Sequence, residues 1–80
     1  MIVRHELTIH CRCPVNGARD TYQVAVETNR IVKVEDILAA VAALPDPQFQ
    51  EEITQALAAT LSCSVTTIGY HSGVKTTCSA

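Results

Sequence analysis

A thiol, a turn and a carboxylate carry the chemistry that this chain's local patterns suggest. Cys13 is followed by Pro14 and Val15, Asn16-Gly17 is a turn pair, and Asp20 stands seven residues after the cysteine. A thiolate is a competent nucleophile near neutral pH, and a carboxyl group within reach can move the proton that its addition requires. Each residue also has a plain role. A free cysteine often packs as a small hydrophobe, and an aspartate beside a turn often bonds its own backbone.

The elements that must position these groups follow from periodicity. From Val3 to Cys13 the odd positions are Val, His, Leu, Ile, Cys and Cys, while the even ones are Arg, Glu, Thr, His and Arg. That period of two marks a half-buried strand, with Cys11 and Cys13 on the face of Leu7 and Ile9. Pro14 cannot donate to a ladder, and Asn16-Gly17 supplies the positive backbone angles of a tight turn, so a hairpin is expected. Tyr22, Val24 and Val26 alternate with polar or small residues to give a second strand. It is expected to resume after a kink at Asn29-Arg30, from Ile31 to Val34.

From Glu35 the period changes. Ile37, Leu38, Val41 and Leu44 recur at helical spacing, with Glu35 and Asp36 where a helix dipole favours negative charge. This helix should end at Leu44, before Pro45. Asp46 then reads as an N-cap and Pro47 as the first helical residue of a second helix with Phe49, Ile53, Leu57 and Leu61 as its apolar stripe. Beyond Ser62 the chain is β-branched. Cys63 to Tyr70 and Val74 to Ser79 read as two strands joined through His71-Ser72-Gly73, with His71 solvated at the hairpin tip.

The expected fold is therefore α+β, one domain over residues 1–80 in the order β-β-α-α-β-β, a four-stranded antiparallel sheet carrying two helices on one face. Its other face and both edges remain open, and 80 residues bury only about 60% of the surface their unfolded chain exposes. Joining edges with copies of itself would close a barrel and add the missing burial, so a homo-oligomer with pockets between subunits is expected.

Composition narrows the partners. The net charge is −2, with six scattered Lys and Arg, which argues against holding nucleic acid by phosphate neutralisation alone. No apolar run approaches the roughly 20 residues of a membrane span, and no signal-peptide core is evident near Met1; a soluble, cytoplasmic protein is expected. In a reducing compartment the four cysteines Cys11, Cys13, Cys63 and Cys78 would stay free. They include no Cys-x-x-Cys knuckle, so no metal ligand is assigned, although a zinc site assembled across the fold from cysteines and His71 is a conceivable alternative.

The β-β-α-α-β-β order resembles the tunnelling fold, whose members bind pterins, purines and related bases at subunit interfaces. Within it, Cys13-Pro14-Val15 followed by Asp20 resembles the QueF-type family: nitrile reductases acting on 7-cyano-7-deazaguanine, and shorter relatives that convert the same nitrile to an amidine in archaeal tRNA. Phe49-Gln50-Glu51 is similar to that family's aromatic-His-Glu segment at the start of the second helix, with glutamine in place of histidine. Val34-Glu35 is similar to its Val-Glu pair, and His71 to Val74 falls at its glycine-containing turn.

The resemblance implies that Cys13 adds to the nitrile to form a thioimide while Asp20 supplies the proton, and that Glu51, with Gln50 and Glu35, binds the deazaguanine. The base could be free or carried in a nucleic acid. The chain departs from the reductases where they contact NADPH, since Asp36 to Ala40 contains no lysine and none follows before Lys75. The expected chemistry is therefore amidine-forming and free of NADPH. A reductase, a zinc enzyme similar to GTP cyclohydrolases and a non-catalytic purine- or pterin-binding subunit are the alternatives.

Overall fold

In the computed structural model, which describes residues 1–80, two ten-residue strands lie side by side: β1 (Val3–Arg12) and β2 (Arg19–Thr28). Their register runs from Val3 opposite Thr28 to Arg12 opposite Arg19 without a break. Helices α1 (Val34–Ala42) and α2 (Gln50–Leu61) follow, then β3 (Ser64–His71) and β4 (Val74–Ser79), all pairings antiparallel in the order β1-β2-β3-β4. The predicted architecture is present. β1 and β4 are the two sheet edges, each with one side unpaired within the chain.

Strand periodicity decides which residues form the core. Ile9 and Cys11 from β1, Tyr22, Val24 and Val26 from β2, and Val65 from β3 share one face and are buried. Ile37 and Ala40 of α1 and Ile53, Leu57 and Leu61 of α2 cover that face. Each large aliphatic side chain buried there contributes roughly 1.5–3 kcal/mol relative to exposure. The opposite face carries exposed polar pairs, such as Thr8 Oγ1 donating to Gln23 Oε1 and His10 against Thr21, both at 3.0 Å.

Five local expectations are corrected. Ile31 to Val34 is not a strand: Ile31 is 89% exposed, and α1 already begins at Val34 and ends at Ala42, two residues short of Leu44. Arg30 instead turns back to α2, its guanidinium donating to the carbonyls of Leu61 and Ser62, where the dipole favours a cation. Asp46 and Pro47 do not start α2. The Asp46 carboxylate accepts from the backbone N–H of Arg12 at 2.9 Å and from its Nε at 3.2 Å, so a tertiary partner has taken the group that could have capped a helix.

The helix starts at Gln50 instead, and Glu52 reaches back to accept from the backbone N–H of Phe49 at 3.0 Å. Phe49, placed in the apolar stripe from sequence, is 47% exposed, whereas Gln50 beside it is 2% exposed. In the first hairpin only Gly17 has a positive φ, 72°, and the connection spans Cys13 to Ala18 rather than two residues. The hairpin survives as a wider loop.

Candidate functional site

That wider loop forms one wall of a cavity of about 580 Å³, opposite the N-terminal end of α2. Cys13, Pro14, Val15 and Asn16 line it from the loop, Asp20 and Tyr22 from β2, Gln48 to Glu51 from the start of α2, and His71 and Thr76 from the second hairpin. Cys13 is fixed by its backbone: its N–H donates to Ala18 O at 2.7 Å, and its carbonyl accepts from Gly17 N–H at 2.9 Å. The Asn16 side chain accepts from Ala18 N–H at 2.9 Å, closing the loop from inside. The proline after the cysteine ends the ladder, and the thiol is half-buried at the rim of the core.

Asp20 lies opposite Cys11 in the β1–β2 register, on the inward face at the loop end of the sheet, and is half-buried. The Tyr22 hydroxyl donates to its Oδ2 at 3.3 Å. Burial first, and then the Asp20 carboxylate, push the Tyr22 phenol well above its usual range, so it remains an O–H donor. Tyr22 is itself 1% exposed, and its ring lies against Gly69 and at 5.8 Å between centroids from the His71 imidazole.

His71 is not the solvated hairpin tip expected from sequence. It is half-buried, with Nε2 2.8 Å from Gln50 Oε1 and Nδ1 3.5 Å from Asp20 Oδ2. The β2–β3 register explains this: Gln23 faces Ile68, so continuing the same pairing sets Asp20 opposite His71. Strand parity was the available signal, since Val65, Thr67, Gly69 and His71 all belong to one face.

Of the residues named from sequence, Cys13, Asp20, Gln50 and Glu51 are brought together in this cavity. Glu51 is exposed in the first turn of α2. Gln50 is not free for a ligand: its amide nitrogen donates to Thr67 O, Thr67 Oγ1 and Thr76 O at 3.0–3.2 Å, and its oxygen faces His71. It ties α2 to β3 and β4 and holds His71. Glu35 is exposed in the first turn of α1 and does not line the cavity within this chain. Tyr22, Gln48 and Thr76 were not singled out from sequence. Gln48 lines the cavity, and its Oε1 is buried without a hydrogen-bond partner.

The other cysteines are placed elsewhere. All four are free. Cys11 is buried beside Asp46, its Sγ 3.6 Å from Oδ1, and burial followed by that carboxylate's charge pushes its thiol up. Cys63 precedes β3 and donates to Leu61 O, whereas Cys78 on β4 stands opposite Thr67 of β3, so the two cysteines do not face each other. No three His, Cys, Asp or Glu side chains are grouped to hold a metal ion. No helix is long and apolar enough to cross a membrane.

The chain is similar to a solved structure described as the archaeosine synthase QueF-Like in the apo form, with a TM-score of 0.82 and 22% sequence identity over 99% of this chain and 90% of that one. That match shows the tunnelling fold expected from the element order. No protein-family model matches the sequence. A search of curated proteins also returns no match.

Proposed function

We propose that the chain is an enzyme of 7-deazaguanine metabolism, adding Cys13 to the nitrile of 7-cyano-7-deazaguanine and passing the carbon to ammonia or another amine to give an amidine. The observation that supports this most is the convergence of Cys13, Asp20 and Glu51 on one cavity, from a loop, a strand and a helix that are far apart in sequence. The fold shared with an archaeosine synthase is consistent with it.

The chemistry balances without an electron donor. The Cys13 thiolate forms an S–C bond, one C–N π bond becomes a lone pair on nitrogen, and a proton from the Asp20 side of the site completes a thioimide. An amine then adds to the same carbon, returns a proton to the site and expels the thiolate. The Glu51 carboxylate is an acceptor suited to the ring N–H and exocyclic amine of a deazaguanine. A site built around such donors rejects bases lacking them by several powers of ten. The lining includes no Lys or Arg, so a dinucleotide's phosphates find no cation there, which favours amidine formation over reduction.

Ring assembly through the β1 and β4 edges belongs to the same reading, and would place exposed Val15, Phe49 and Val74 near neighbouring subunits. Light scattering should report a mass several times that of the 8.6 kDa chain. A monomer would remove that part. The main test is intact-mass spectrometry after incubation with the nitrile: the protein should gain the full mass of the ligand, the gain should vanish in Cys13→Ala, and ammonium should release it. No adduct at saturating nitrile would sink the reading, and turnover that needs NADPH would replace amidine formation with reduction.

A further inference from the structure

The buried polar groups under the cavity fix where the hydrogens lie, and with them the tautomer of His71. Thr54 Oγ1 donates to Gln50 O at 2.8 Å, which leaves Thr67 Oγ1 to donate to Thr54 Oγ1 at 2.7 Å. Thr67 Oγ1 can then only accept from Gln50, and it does so from Nε2 at 3.1 Å, alongside the carbonyls of Thr67 and Thr76. Three acceptors around one atom require that atom to be the amide nitrogen. The atom 2.8 Å from His71 Nε2 is therefore the Gln50 oxygen, and Nε2 must carry a hydrogen to meet it.

This leaves Nδ1 of His71 facing Asp20 Oδ2 at 3.5 Å. In neutral imidazole with Nε2 protonated, Nδ1 bears a lone pair. A lone pair aimed at an ionised carboxylate is repulsive, and a proton between the two makes the contact favourable. The charge inventory points the same way. Asp20 and Tyr22 from β2, Cys13 from the loop and Glu51 from α2 are the other titratable groups lining the cavity, and β4 contributes only Thr76. Among all of these, His71 is the one side chain able to carry positive charge.

We propose that Asp20 and His71 hold one proton between them, and that this couple, rather than Asp20 alone, is the acid that protonates the nitrogen when Cys13 adds to the nitrile. The inference rests on the proposed nitrile chemistry for its substrate but not for its geometry. Gln50 is a positioning residue in it: its buried amide orients the imidazole so that Nδ1 faces the carboxylate. The proton leaves the couple for the nitrile nitrogen as the S–C bond forms, and the incoming amine restores it. The Tyr22 hydroxyl donates to the same Oδ2 and holds the carboxylate in place.

The test has two readouts. In the ligand-free protein labelled with ¹⁵N-histidine, long-range ¹H–¹⁵N spectra should show the Nε2–H tautomer of His71 at high pH, and Asp20→Asn should move the Nδ1 resonance toward that of an imidazole nitrogen with no partner. An Nδ1–H tautomer, or an Nδ1 resonance indifferent to Asp20→Asn, overturns the couple. The rate of nitrile adduct formation in the wild type should fall on the alkaline side, where the couple has given up its proton. That limb should be lost in both His71→Gln and His71→Asn, with folding of each verified by thermal melting. The same alkaline limb in folded variants overturns the acid role. An Nδ1 resonance that responds to Asp20→Asn in a protein that never forms an adduct overturns the couple's role as acid toward the nitrile and rejects the nitrile reading, while leaving the Asp20–His71 contact established.

Discussion

The ring of Tyr22 rests directly on Gly69: a Cβ at position 69 would lie 2.5 Å from Tyr22 Cδ1 and 2.6 Å from Cε1. These residues sit in neighbouring strands, and the missing side chain leaves the room that the phenol ring fills while its hydroxyl donates to Asp20. Gly69→Ala must therefore displace a ring that is 1% exposed in a packed core. We expect a loss of about 1–3 kcal/mol in urea unfolding, typical of overpacking. Alkylation of Cys13 should also change, because the displaced ring moves Asp20; wild-type stability in the variant would refute the close packing.

Gln50 is buried and uses both ends of its amide, so its loss should resemble that of a small polar core. Gln50→Leu leaves Thr67 O, Thr76 O and the His71 Nε2–H without their partner, and a fully buried group such as Thr67 O left unpaired costs about 1–3 kcal/mol, the half-buried ones less. The expected result is a lower unfolding midpoint together with a His71 imidazole that samples both tautomers. Gln50→Glu keeps an acceptor for His71 but loses the donors, and should recover the tautomer without recovering the stability.

Much of this fold was legible because its strands obey period two over long runs. Val3 to Arg12 alternates without interruption, and Ile53, Leu57 and Leu61 recur every fourth residue, so both the sheet face and the helix face could be read. What failed were places where a local signal competed with a distant partner. Asp46-Pro47 reads as a helix start, but Arg12 lies across the fold from it. The β-branched run from Ile31 to Val34 reads as a strand, yet it pairs with no neighbour. The site was half legible: Cys13 and Asp20 stand in one hairpin, whereas His71 reaches them only through the β2–β3 register, which no single strand reveals.

Asp46 ties the end of β1 to the segment before α2, and its contribution depends on pH. The Arg12 backbone N–H, then its side chain, hold the Asp46 carboxyl below the usual carboxylate range. The folded state thus binds this proton less readily than the unfolded chain does. The stabilisation is present above the unfolded pKa, near about pH 4, and is lost as pH falls through the folded value. Wild type should exceed Asp46→Asn in stability at pH 7, with the difference shrinking in denaturation series taken below about pH 4. A difference constant down to pH 2 would show that the contact is not electrostatic.

Cys11 and Cys13 are two residues apart, yet they should react very differently. Cys11 is 5% exposed, and burial together with the Asp46 charge keeps its sulfur in the neutral thiol form to higher pH, whereas Cys13 lines an open cavity. Limited iodoacetamide at pH 7.5 should label Cys13 and leave Cys11 untouched in the folded protein, as read by fragmentation of the peptide that carries both. Raising the pH should bring Cys11 in only slowly, because access as well as ionisation opposes it. In Asp46→Asn the negative neighbour is removed, the Cys11 thiol ionises more readily, and labelling at position 11 should begin at lower pH. Labelling of Cys11 before Cys13 at neutral pH would contradict the placement of both sulfurs, and with it the assignment of Cys13 as the nucleophile.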